Sequence, residues 1–184
     1  GSQDFAADPR NADLRIYVNG ELVPRDQAKV SVFDAGFVLG DGVWEGLRLV
    51  KGGVPFLREH IERLYEGAKA IFMDIGLTPD ELVTRLFDCL DANKMEDGVH
   101  IRLMVTRGVK ATPYQDPRVV VSPATIVIIA EHKDPLPANI TAKHCRFDIG
   151  FRAVPDADIG EWGMRVRRRI AEVEAEMQKI RPEA

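Results

Sequence analysis

GFVLGDGVWEGLR, residues 36–48, decides how the rest of this chain is read. Glycines at 36, 40 and 42 let a backbone turn sharply and come close to a neighbour, while Asp41, Trp44 and Glu45 set charge and apolar bulk beside them. In any strand that follows, Trp44 and Glu45 project to opposite faces. The residues alone leave two readings open: a glycine-rich bulge between strands, or a turn shaped to stand beside a ligand.

The flanking segments place this stretch in a sheet. Residues 14–34, LRIYVNGELVPRDQAKVSVFD, alternate apolar and polar side chains around Asn19-Gly20, a strong hairpin signal. Residues 45–57, EGLRLVKGGVPFL, hinge two apolar runs at Gly52-Gly53 and predict a second hairpin or a tight strand connection. The period then becomes helical, with Leu57, Ile61, Leu64, Ala68, Ile71 and Phe72 marking one buried face. In residues 76–94, GLTPDELVTRLFDCLDANK, Thr78 caps, Pro79 takes the first helical position and Glu81 completes a capping box ahead of Leu82, Leu86 and Leu90. VHIRLMVTRG (99–108) turns Val99, Ile101, Leu103 and Val105 inward, and the continuous apolar run ATIVIIAEH (124–132) reads as a central strand. Between them VKATPYQDPRVVVSP (109–123) is too long for a tight turn, and loops of that length in compact domains often carry function.

The predicted fold is α+β: a largely antiparallel sheet with two helices packed on one face, plus an additional C-terminal strand and helix. Residues 1–13 read as a flexible leader, 14–137 as the domain, and 138–184 as the extra strand and amphipathic helix, packing on the same domain. The extra strand falls in NITAKHCRFDIGF (139–151), and Val166, Ile170, Val173, Met177 and Ile180 form a narrow apolar seam after it. Arg165, Arg167, Arg168 and Arg169 crowd the start of that helix, where the macrodipole disfavours cations, so they need acids, solvent or an anionic ligand.

Composition limits the function classes. A hydrophobic content of 45% supports a core without staples, and Lys+Arg 25 against Asp+Glu 29, net charge -4, argues against a nucleic-acid groove. Cys89 and Cys145 lack metal-like spacing and are expected as reduced buried thiols rather than a disulfide. No apolar run reaches the length of a membrane span, and a cytoplasmic location is expected.

The order YVNGELVP, DAGFVLGDGVWEGLR, PFLREHIERLYEGA, RLMVTRG resembles the N-terminal small domain of the class IV (fold-type IV) pyridoxal-phosphate enzymes. That family holds the branched-chain and D-amino-acid aminotransferases, (R)-selective amine transaminases and aminodeoxychorismate lyase, and the resemblance covers residues 14–137. It implies that Arg63, in EHIERL, grips the cofactor phosphate, as a guanidinium fork suits a dianion, with His60 close to the same group. By the same resemblance Trp44 lines the substrate pocket where many members place tyrosine or phenylalanine, and Arg107 recognises a substrate carboxylate. A surface arginine at a strand end is the plain alternative for Arg107. Tyr114 could reach the pocket from either subunit of a homodimer. Pyridoxal 5'-phosphate is the implied cofactor and a small amino or keto acid the implied substrate, with neither a nucleic acid nor a membrane as partner.

One family element is not matched. The Schiff-base lysine is expected near Gly160, yet the aligned stretch reads DADIGEWGMRVRRRIAEVEAE (156–176), and no lysine occurs between Lys143 and Lys179. Lys143 comes too soon after Pro137, and Lys179 lies in the charged tail. A chain of 184 residues carrying this sheet domain is also expected to lack the family's second domain, with the acid that pairs with the pyridine nitrogen. Three readings follow: a small domain of such an enzyme, isolated or engineered, that lacks transaminase activity alone and binds the cofactor weakly if at all; a non-catalytic scaffold or dimerisation module; and an active aminotransferase that uses Lys143 or a lysine from another chain.

Overall fold

The computed structural model describes residues 7–133. Contacts divide the chain into two units, Gly1–Ile140 and Thr141–Ala184, and the described residues belong to the first. The predicted C-terminal strand, the apolar seam, Cys145 and Lys143 lie outside the described residues.

The strands are β1 (Arg15–Val18), β2 (Glu21–Pro24), β3 (Gly42–Leu49), β4 (Val99–Thr106) and β5 (Thr125–His132). They form one sheet in the order β2-β1-β5-β4-β3, with every pairing antiparallel, so the apolar run of β5 is central and β3 is an edge. The β1–β2 hairpin turns at Asn19 and Gly20, both at positive φ, as a two-residue loop of this kind requires. Asn19 also ties the hairpin to β5, its side-chain oxygen accepting from Ile126 N at 2.7 Å. At Gly52-Gly53 there is no second hairpin, only a tight turn with a single bridge between Val50 and Gly53.

Two helices, α2 (Leu57–Ala70) and α3 (Pro79–Ala92), cover one face of the sheet. The capping box of α3 forms as its sequence predicts, Thr78 Oγ1 accepting from Glu81 N and the Glu81 carboxylate accepting from Thr78 N at 2.7 Å. Leu82, Leu86, Cys89 and Leu90 turn onto the sheet against β1 and β5, where Cys89 Sγ meets Arg15 O and Ile128 O, within the core that also holds Val99, Ile101, Leu103 and Val105 of β4. Truncating one such leucine to alanine costs about 2–5 kcal/mol.

The predicted buried face of α2 holds at Ile61, Leu64 and Ala68 but not at its end. Ile71 and Phe72 are exposed, Phe72 by 92%, because the helix stops at Ala70 and the chain turns left-handed at Phe72. Phe72 N donates to Lys69 O and Met73 N to Ala68 O, so Met73 takes the core place that periodicity assigned to Phe72. α3 ends the same way. Lys94 is left-handed, Met95 N donates to Leu90 O, and Met95 is buried. In both motifs a side chain stands at the left-handed position that glycine usually occupies.

Candidate functional site

The glycine stretch is a short helix followed by a strand. Helix α1 (Ala35–Leu39) starts at Asp34, whose Oδ1 accepts from Gly36 N at 2.9 Å, and ends at Gly40 with φ 67. The other Asp34 oxygen accepts from Thr106 Oγ1 at 2.9 Å, which ties α1 to the end of β4. Contact there leaves no room for side chains. A Cβ on Gly36 would meet Thr106 Cγ2 at 2.3 Å, and one on Gly42 would meet Val105 O at 2.6 Å. The turn therefore serves close packing, and it also walls a concavity of about 680 Å³ on the sheet face opposite α2 and α3. Val18, Phe37, Trp44, Met104 and Val127 supply its apolar lining.

β3 divides its side chains as expected. Glu45 faces the helices and is buried, 4% exposed, whereas Trp44 faces the open side at 61%. The Glu45 carboxylate accepts from Arg63 Nε at 2.7 Å and Arg63 Nη2 at 2.6 Å, and from His60 Nδ1 at 2.8 Å. Because α2 places His60 and Arg63 three residues apart, both reach the one acid from the same side. Burial alone would push the Glu45 carboxyl up, but hydrogen bonds from Arg63 and His60 outweigh it and hold the group below the usual carboxylate range. Arg63 Nη2 and His60 Nδ1 lie 3.1 Å apart because both donate to the same Glu45 oxygen, which assigns the His60 proton to Nδ1. Arg63 Nη1 and His60 Nε2 take no partner among the described residues.

On the open face the Arg102 guanidinium stacks over Trp44, 4.2 Å from its ring centroid. Arg102 makes no ion pair among the described residues. Arg48 and His100 share this face. Burial, followed by the charges of Arg102, Lys133 and Arg48, holds the His100 imidazole below its ordinary value.

Arg107 is committed to the protein. Its Nε and Nη2 grip Asp41 at 2.7 and 3.0 Å, Nη1 donates to Phe72 O at 2.9 Å, and Nη2 donates also to Ile71 O at 2.8 Å. This clamp joins the end of α2 to the entry of β3, and a substrate carboxylate would have to displace Asp41. Tyr114 is 69% exposed in the loop after β4. That loop is held from beneath by Lys110, which is 2% exposed and donates from Nζ to Asp116 O at 3.1 Å.

Sequence reasoning passed over Glu45 as the partner of the His-Arg pair, Arg102 as an available cation and Lys110 as a buried one. The alternation put Glu45 on the face opposite Trp44, which was the one usable signal; nothing local distinguished Arg102 from Arg107. Gly160, where the family lysine is expected, lies outside the described residues, and no lysine joins the Glu45 group among those described.

The profile of the family described as Amino-transferase class IV matches residues 42–149, running from the start of β3 past Pro137. The chain belongs to the class IV aminotransferases. It is 43% identical over 131 residues to branched-chain-amino-acid aminotransferase-like protein 1 of Arabidopsis thaliana, covering 71% of this chain and 24% of that protein. With a putative branched-chain-amino-acid aminotransferase of Methanocaldococcus jannaschii it shares 49% identity over 96 residues, 52% of this chain and 33% of the relative. The T.th. branched-chain amino acid aminotransferase, solved with pyridoxamine 5'-phosphate, superposes with a TM-score of 0.59 at 28% identity, over 69% of this chain and 42% of that one. This class IV chain thus spans about a quarter to a third of the two curated relatives.

Proposed function

We propose that this chain builds one wall of a pyridoxal-phosphate aminotransferase site for amino and keto acids, and that the 184-residue chain alone does not transaminate. The observation that carries this reading is the buried Glu45 holding Arg63 and His60 side by side, with Arg63 Nη1 and His60 Nε2 left for a ligand. The free edge of Arg63 suits a phosphate monoester, since a guanidinium offers N–H groups to a tetrahedral dianion. Pyridoxal phosphate, when bound, supplies the electron sink for amino-group transfer.

The remaining roles follow from charge and access. Trp44 lines the substrate side, and Arg102 rather than Arg107 meets the substrate carboxylate, because Arg102 sits at Trp44 without an acidic partner while Arg107 is saturated by Asp41 and two carbonyls. Tyr114, exposed on its anchored loop, would serve the pocket of a second copy. The relative solved with pyridoxamine 5'-phosphate supports the cofactor assignment.

Adding pyridoxal phosphate, following its absorbance, then reducing with borohydride and mapping the adduct by mass spectrometry tests the reading. Reversible binding that is lost in Arg63→Ala, with no reduced adduct, is expected. An adduct on Lys143 would instead establish an enzyme with its own attachment lysine, and no spectral change at any concentration would leave a scaffold. Self-association is favoured separately by Phe37, Val121 and Val32, which are 71%, 65% and 64% exposed, and sedimentation reads it directly.

A further inference from the structure

A groove of about 1070 Å³ lies between α2 and the start of α3, and none of Glu45, His60 and Arg63 lines it. Leu57, Ile61, Tyr65 and Phe72 step along α2 at helical spacing, and Met73 and Val83 complete an apolar floor. Because α2 holds 14 residues, the groove runs for about 21 Å, the span of a four-turn helix.

Phe72 stands at one end, 92% exposed and left-handed at φ 54, a backbone state that glycine takes at less cost. Its position is braced. Arg107, itself gripped by Asp41, donates to Phe72 O at 2.9 Å and to Ile71 O at 2.8 Å, so the ring is presented on a fixed turn. An exposed aromatic held beside an apolar floor has the form of an interface anchor, since the backbone beneath it has little freedom to lose on binding.

The rim decides what kind of partner fits. Glu62, Glu66, Asp74 and Asp80 line it against Arg58 and Lys69, and Arg58 already lies near Glu59 and Glu62. Glu66 and Asp80 are exposed and make no ion pair among the described residues. A second copy of this face would set carboxylate against carboxylate, and an anionic lipid surface would be repelled as well. A cationic polypeptide is complementary.

We infer that this groove docks a basic amphipathic helix of a partner protein, its apolar face laid along α2 against Phe72 and its lysines or arginines paired with Glu66 and Asp80. The groove is separate from the Glu45 group, and docking does not depend on what that group holds.

The probe is a fluorescein-labelled helical peptide of about 14 residues, with leucines at i, i+3 and i+4 spacing and lysines elsewhere. Its counterpart carries glutamate in place of each lysine. Fluorescence anisotropy with the 184-residue chain should show saturable binding of the lysine peptide only, and ¹⁵N shift changes should concentrate in residues 57–83. Phe72→Ala should weaken binding about tenfold or more. Glu66→Lys with Asp80→Lys should weaken it by a similar factor, whereas Glu21→Lys with Asp91→Lys, the same change of net charge away from the groove, should leave it as it was. Equal binding of both peptides, no binding, or binding indifferent to Phe72→Ala and to the reversal at 66 and 80 overturns the inference. So does a preference for phosphatidylserine vesicles over the lysine peptide, or self-association in sedimentation that Phe72→Ala abolishes.

Discussion

Glu45 Oε2 is shared by two donors from one helix, Arg63 Nη2 at 2.6 Å and His60 Nδ1 at 2.8 Å, inside a sheet face that is otherwise apolar. A carboxyl held below its ordinary value of 4.5 stabilises the fold above that value and loses the contribution as pH falls through the lower, folded value. Wild-type stability should therefore drop in acid, and the Glu45→Gln curve should be flatter there. Arg63→Ala removes the main partner of a buried charge. A loss of about 1–3 kcal/mol at neutral pH is expected by urea denaturation, toward the low end because Arg63 is largely exposed.

Gly36 and Thr106 touch so closely that a methyl group cannot enter between them. Gly36→Ala would bring its Cβ to 2.3 Å from Thr106 Cγ2 and should cost about 1–3 kcal/mol. Thr106→Ser deletes that methyl while retaining the hydroxyl that donates to Asp34 Oδ2. The double variant should recover part of the loss, and strict additivity in a double-mutant cycle would place the strain elsewhere.

Lys94, at φ 53, occupies the left-handed position that closes α3. A side chain there costs roughly 1–2 kcal/mol, from which the greater unfolded-state freedom of glycine must be subtracted. Lys94→Gly should raise the melting temperature by a few degrees, whereas Lys94→Ala should leave it nearly unchanged.

Tyr65 donates its hydroxyl to Leu77 O at 2.7 Å, and burial, with help from Glu81 and Asp74, pushes the phenol up to about 12. A proton held more tightly in the folded state stabilises it below the ordinary value of 10, and the contribution disappears as pH climbs through about 12. Burial raises Tyr17 as well, so alkaline difference spectra should show late tyrosine ionisation that Tyr65→Phe diminishes without abolishing.

Lys110 anchors its loop through Asp116 O, and the loop carries Tyr114. Lys110→Met preserves length and apolar bulk but removes the ammonium. Hydrogen exchange should then quicken in residues 111–118 while β4 and β5 keep their protection. Equal acceleration in the strands would mean that Lys110 supports the whole domain.

The sheet and its helices were legible in the sequence because each obeys a local rule. Asn19-Gly20 dictates its hairpin, Thr78 and Glu81 dictate the start of α3, and the strict alternation from Val99 to Val105 dictates which side of β4 is dry. Helix α1 escaped notice since five residues are too few to display a helical period, although Asp34 and Gly40 bracket it as caps. Phe72 misled because periodicity does not register where a helix stops; a single left-handed residue moved the core place to Met73.

The candidate site was legible only in part. His60 and Arg63 were marked by the family resemblance and not by their spacing; their shared acid lies on a different element, and pairing across elements leaves no local trace. Arg102 and Arg107 are five positions apart on one segment and look equivalent as letters. Whether such a group is free or spent depends on Asp41 and on the carbonyls of Ile71 and Phe72, which only the folded chain brings within reach.

The two-sided character of β4 lets neighbouring positions drift under separate pressures. Replacement at 100, 102 or 104 alters the open face of the sheet, and at 104 the concavity itself, without disturbing the packing that Val99, Ile101, Leu103 and Val105 sustain. A scaffold wired this way can exchange clientele by odd-and-even bookkeeping along one ribbon, renewing its preferences while its architecture stands still.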